Sequence, residues 1–176
     1  MATTTNWVID PSHSEIQFKV KHMVITTVTG SFTEFNGSAE SADDFENASI
    51  SFEANVHSIN TNSEQRDGHL KSADFFEADK YPKLTFASTK FTNTGDDKFE
   101  LVGDLTIKGI TKSVRLAVEY TGTVKDPYGQ TKAGFELRGK INRKDFGLTW
   151  NALTEAGGAL VSEEVRLEAN LQLVKK

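Results

Sequence analysis

Glu15-Ile-Gln-Phe-Lys-Val-Lys-His22 alternates strictly, with Ile16, Phe18 and Val20 on one side and Gln17, Lys19 and Lys21 on the other. Successive side chains of a strand point to opposite faces, so this octapeptide reads as a strand with one apolar and one wet face. The same pattern returns in 48–56 (Ala48, Ile50, Phe52, Ala54, Val56), 99–107 (Phe99, Leu101, Leu105, Ile107) and 114–120 (Val114, Leu116, Val118, Tyr120). It returns again in 133–141 (Ala133, Phe135, Leu137, Ile141) and 165–173 (Val165, Leu167, Ala169, Leu171, Leu173). One wet face throughout implies antiparallel pairing.

Two segments change parity midway. In 28–39 the apolar positions run Val28, Phe32, then Phe35 and Ala39, and in 84–91 they run Leu84, Phe86, then Phe91. Each slip predicts a β-bulge or a sharp bend. Asn93-Thr-Gly-Asp-Asp97, Lys108-Gly109 and Asp126-Pro-Tyr-Gly129 supply turn chemistry at hairpin spacing. Eight strands result, with a short extra one at 7–9. Two connectors exceed hairpin length: 60–82, with a capping-box spelling at Thr61-x-x-Glu64 before a helix-compatible stretch through Lys71, and 143–162, with Phe146, Leu148, Trp150 and Leu153. Both are expected to fold over the body as lids.

Eight antiparallel strands in one small chain form a sandwich or close on themselves, and closure removes the edges. The sequence is therefore expected to form a single all-β domain over 1–176, with no repeat, linker or low-complexity tract. At 176 residues, about 70% of the unfolded surface can be buried, so a core needs no staples. The chain has no cysteine, which excludes disulfides, thiolate metal sites and cysteine nucleophiles. A net charge of −5 without basic runs disfavours nucleic-acid and anionic-membrane binding. No apolar run approaches the roughly 20 residues that span a bilayer, so no stable membrane insertion is expected. Met1-Ala-Thr-Thr-Thr-Asn-Trp7 carries neither the basic nor the apolar run of a signal peptide. The expectation is a cytoplasmic protein, or a periplasmic one if a leader has been removed.

Small residues at or near inward positions, Gly30, Gly37, Gly103 and Gly139 beside Ala39, Ala54, Ala133 and Ala169, tilt the reading from a filled barrel toward one with a cavity. The inward aromatic side chains are ordinary core in a filled barrel and an apolar tube in an underfilled one. The densest polar cluster is Arg66-Asp67-Gly68-His69-Leu70-Lys71. It either meets an anionic or carbonyl head group at a barrel mouth or holds its helix to the barrel through an Arg66 salt bridge and a capping Asp67. Histidines 13, 22, 57 and 69 lack metal-ligand spacing, so neither metal nor cofactor is implied. There is no Gly-x-Ser-x-Gly elbow, phosphate loop or dinucleotide fingerprint.

Trp7-Val-Ile-Asp10-Pro-Ser-His13-Ser14, Phe18-x-Val-x-His22-Met23 and Gly30-x-Phe32 resemble the opening of the YceI family. The likeness runs on through Ser58-Ile-x-Thr61, Arg66-Asp-x-His69-Leu, Asp74-Phe-Phe76, Tyr81-Pro82 and Phe86. It resumes at Gly103-x-Leu-Thr-Ile-x-Gly109-x-Thr111, Asn142-Arg-Lys-Asp-Phe146-Gly147 and 161–165, and so covers nearly the whole chain. The resemblance implies an extended eight-stranded antiparallel lipocalin-like β-barrel holding a long-chain isoprenoid or similar amphiphile, with quinones and isoprenyl diphosphates among the candidates. Many members of that family are exported, and no signal peptide is seen here.

The expected apolar pore is Trp7, Phe18, Val20, Phe32, Ile50, Phe52 and Ala54, with Phe76, Phe86, Leu105, Leu116, Phe135 and Trp150. His22, Arg66 and His69 are the expected head-group contacts. The leading expectation is a carrier without catalytic residues. The alternative is an enzyme acting on the head group of such a lipid, for which His69 with Asp67 or His13 is the only acid–base candidate, and a third reading is a filled barrel used for protein contacts. The sequence is compatible with one copy or a homodimer.

Overall fold

The structure, a computed structural model, describes residues 4–23, 25–42, 45, 47–150 and 161–176. Among the described residues eleven strands lie in one sheet that closes on itself: β1 (Thr5–Ile9), β2 (Glu15–His22), β3 (Thr26–Phe32), β4 (Phe35–Ser41), β5 (Ser49–Asn55), β6 (Ile59–Asn60), β7 (Lys83–Gly95), β8 (Lys98–Ile107), β9 (Ile110–Lys125), β10 (Thr131–Asn142) and β11 (Val161–Lys175). Among the described residues the one α-helix, α1 (Glu64–Lys71), lies between β6 and β7.

The eleven strands make eight staves. β1 and β2 lie end to end along β11, with Ile9 opposite Leu173 and Glu15 opposite Asn170. Between them Asp10 caps a turn of 3-10 helix at Pro11–His13, where proline interrupts the ladder. The expected extra strand at 7–9 is therefore the first half of the first stave. β3 and β4 make the second stave, β3 pairing with β2 and β6 and β4 with β1 and β5. The parity slip in 28–39 is the break between them at Thr33-Glu34, which moves the inward set from Phe32 to Phe35. β5 and β6 make the third, and β7 to β11 complete an antiparallel ring. The slip in 84–91 is a bulge: Ser88 faces Gly103 and Lys90 faces Val102, leaving Thr89 without a partner.

The hairpin turns follow their residues. Lys108 and Gly109 both have positive φ, 53° and 75°, as a two-residue hairpin of the primed type requires. The Asp126 carboxylate accepts from the backbone N–H of Tyr128 and of Gln130, closing the β9–β10 loop. β6 has only two residues, and Leu70 of α1 packs against the cluster of Phe32, Ala54 and Ile59 beside it. The expected capping box does not form: Asn62 is left-handed (φ 64°), so no helix starts there, and Ser63 caps α1 instead by accepting from Arg66 N–H at 3.3 Å.

Candidate functional site

Three apolar voids follow one another inside the barrel, with volumes of about 230, 150 and 60 Å3. The inward residues of β11 step through all three: Val165 lines the first, Leu167 the first and second, Ala169 the second, Leu171 the second and third, and Leu173 the third. From Val165 to Leu173 is about 27 Å of strand, or about 20 Å along the axis at the usual tilt. Neighbouring voids share walls, Phe18, Phe32 and Leu84 between the first two and Ile50, Leu101 and Leu137 between the last two.

Of the residues expected to line a pore, most wall one of these voids. Phe18, Val20, Phe32, Phe76 and Trp150 wall the first void, together with His22, Arg66 and His69. Ile50, Phe52, Phe86, Leu105 and Leu116 wall the second, and Phe135 the third. Trp7 and Ala54 line none of the three. Trp7 is buried beyond the third void with its ring 5.3 Å from that of Phe45, and Ala54 is packed with Phe32 and Ile59.

Polar groups gather at the first void, which His22, Thr61, Arg66, His69 and Arg143 line without any Asp or Glu. Asp67 sets the geometry from behind: its carboxylate accepts from the Thr61 backbone N–H at 2.8 Å and from the Thr61 hydroxyl at 2.6 Å. Thr61 in turn accepts from Arg66, Nε to the hydroxyl at 2.8 Å and Nη2 to the carbonyl at 2.6 Å. The expected Arg66 salt bridge is therefore replaced by hydrogen bonds to Thr61, and Asp67 braces Thr61 instead of capping the helix. Among the described residues nothing accepts from Arg66 Nη1, so that end of the fork is available to a ligand.

His69 stands edge-on to Phe75 and Trp150, at 5.1 and 4.8 Å between ring centres, and its Nε2 lies 2.9 Å from Asp74 Oδ2. Neither Asp67 nor His13 forms the acid–base pair considered for it. Asp67 is engaged by Thr61, and His13 Nδ1 lies 2.8 Å from Asp10 at the β1–β2 turn. His57 is 3.4 Å from Asp79, so the histidines are dispersed. Among the described residues no three metal-type side chains converge.

Arg143 was not among the expected site residues, although it sits in the Asn142-Arg-Lys-Asp-Phe146 stretch. It is 3% exposed, and its guanidinium donates to four carbonyls: Ser162 (2.8 Å), Leu148 (2.6 Å), Trp150 (2.8 Å) and Val161 (3.2 Å). Both flanks of the second connector are thereby tied to the wall of the first void. Burial pulls its pKa below the ordinary guanidinium value, and the charge of nearby Glu163 opposes that shift.

A YceI-like domain model matches residues 7–173. The chain belongs to the YceI-like family. A UPF0312 protein of Staphylococcus aureus (strain N315) is 38% identical over 170 residues, 96% of each chain. Among solved structures, the Campylobacter jejuni YCEI protein is 31% identical with a TM-score of 0.74, over 90% of this chain and 91% of that one. Burkholderia cenocepacia BcnA (22% identical, TM-score 0.82, 93% and 98% covered) and a polyisoprenoid binding domain from Saccharophagus degradans (15%, 0.66, 97% and 98%) share the YceI-like fold. No helix among the described residues is long and apolar enough to cross a membrane.

Proposed function

We propose that the barrel binds one long-chain isoprenoid or similar amphiphile, tail inward, and sequesters or carries it without transforming it. The observation that carries this reading is the polarity gradient of the voids: apolar walls along their length, and hydrogen-bond donors at the end walled by α1. Each buried methylene contributes about 0.8 kcal/mol, so a chain of many carbons gains affinity without polar recognition, and the donors then fix its orientation. Arg66, His22 and His69 suit a head group rich in acceptor oxygens, either a diphosphate or a quinone. The polyisoprenoid-binding neighbour agrees with this reading at the level of fold. Of the partners expected for His69 in the enzyme alternative, Asp67 is held by Thr61 and His13 lies against Asp10, while Asp74 stands at His69 Nε2.

The test is titration of a polyprenyl diphosphate and a quinone of equal chain length into wild type and Arg66→Gln at two ionic strengths. For an anionic head group the substitution weakens binding by roughly 1.5 to 3 kcal/mol, and added salt weakens wild-type binding; for a quinone the loss is roughly 0.5 to 1.5 kcal/mol and insensitive to salt. No saturable binding of either compound contradicts the proposal.

A further inference from the structure

The end of the lane opposite the donors is closed by a residue that belongs to no stave. Phe45 sits on the connector between β4 and β5, 8% exposed, and its ring reaches into the barrel. It lies 5.3 Å from Trp7 on β1, 5.3 Å from Tyr120 on β9 and 5.2 Å, edge-on, from Phe135 on β10. One side chain thus touches three staves, and it also lines the third void. Its backbone is left-handed (φ 63°), a conformation that phenylalanine adopts only when its surroundings hold it there. Two backbone contacts hold Phe45 and its neighbour Asn47: Phe45 N–H donates to Ala42 O at 3.0 Å, and Asn47 N–H donates to Phe91 O at 3.2 Å. A barrel filled only by its own strands would need no ring brought in from a loop.

We infer that Phe45 is the plug that sets the longest apolar tail the barrel accepts, which makes it the residue that determines chain-length specificity. This rests on the proposed binding of a long chain and adds to it a definite floor. A tail entering from the α1 end passes the second void, where every added carbon is buried against Phe86, Leu105 and Leu116, and stops in the third void against Phe45. Affinity then rises with chain length up to a break and not beyond. Replacing the ring with a smaller side chain deepens the third void toward Trp7 and Tyr120 and moves the break to longer chains.

The experiment measures Kd for polyprenols of increasing length, from geraniol upward, with wild type and Phe45→Ala. For wild type, each added isoprene unit tightens binding about tenfold or more until the break, after which further units add nothing. For Phe45→Ala the break moves by at least one unit. A break at the same length in a Phe45→Ala protein with wild-type circular dichroism overturns the inference while leaving chain binding intact. If Phe45→Ala does not fold, Phe45→Leu decides by the same criterion: the first polyprenol beyond the wild-type break binds severalfold tighter than to wild type, or the inference fails. Absence of binding at every length in wild type overturns the proposed function and this inference together.

Discussion

Gly30 on β3 faces Phe18 on β2, and a Cβ added to Gly30 would clash with the tip of the Phe18 ring, at Cζ and both Cε atoms. The same holds across the barrel. A Cβ on Gly103 would meet the Phe86 ring and come within 2.6 Å of the Ala87 carbonyl, and one on Gly37 would come within 2.7 Å of Ile9 Cδ1. These inward glycines are sites over which a neighbour's ring or branched side chain lies flat, which a β-carbon would prevent. The voids lie beside those rings, and the space over each glycine is already occupied.

Gly30→Ala therefore acts through Phe18. Overpacking costs about 1 to 3 kcal/mol if the ring cannot move, and less if it rotates into the neighbouring voids. Phe18 lines both the first and second voids, so rotation narrows the passage between them. The expected result is a small loss of stability in urea unfolding together with at least a tenfold loss of affinity for a polyprenol. Unchanged affinity would show that Phe18 does not border the path of the tail.

Two alanines should respond in opposite ways to the same substitution. Ala54 is 1% exposed and packed with Phe32 and Ile59, whereas Ala169 borders the second void. Ala54→Phe should cost about 1 to 3 kcal/mol of stability. Ala169→Phe should fold with nearly wild-type stability and block chain binding. Thermal unfolding with and without polyprenol checks both: Ala169→Phe keeps its apo melting temperature and loses the shift that ligand produces.

Arg143 should not tolerate lysine. One ammonium group cannot reproduce four hydrogen bonds from a planar fork, so Arg143→Lys leaves buried carbonyls among those of Leu148, Trp150, Val161 and Ser162 without donors. A loss of about 2 to 4 kcal/mol is expected. Denaturant unfolding measures it, and a loss below about 0.5 kcal/mol would show that the second connector is held by other contacts.

Acid should expose the role of Asp10. Hydrogen bonds from Ser12, first, then His13 and Lys132, hold its pKa well below the ordinary carboxylate value of 3.8, against the opposing effect of burial. A group whose pKa is depressed on folding stabilises the fold above the unfolded-state value, and that contribution is lost as pH falls through the folded value. Asp10 therefore contributes fully above about pH 4 and progressively less in more acidic solution. Asp10→Asn should lower stability at neutral pH by about 1 kcal/mol and flatten the wild-type decline below about pH 4. Parallel acid limbs in the two proteins would remove Asp10 from the account.

The eight staves were legible because period two is set by backbone geometry, and each parity slip marked a real interruption, Thr33-Glu34 in one case and Thr89 in the other. The inward set followed from the same parity, and with it many of the residues that wall the voids. Phe45 was not legible: it stands in an irregular acidic stretch, Asp43-Asp44-Phe45-Glu46, where no period tells an inward ring from an exposed one. Arg143 stands within a recognisable motif, but its partners are carbonyls, which carry no side-chain signature. Thr61 and Asp67 look like separate caps in the sequence because their pairing depends on the left-handed turn at Asn62.

Whether one apolar chain occupies the barrel is read by native mass spectrometry of the protein before and after incubation with a polyprenyl diphosphate, followed by organic extraction of the bound species. The account predicts a single adduct per subunit that survives gentle ionisation, is released by solvent, and is absent in Ala169→Phe. Multiple weak adducts, or none, with the same pattern in Ala169→Phe, would contradict it.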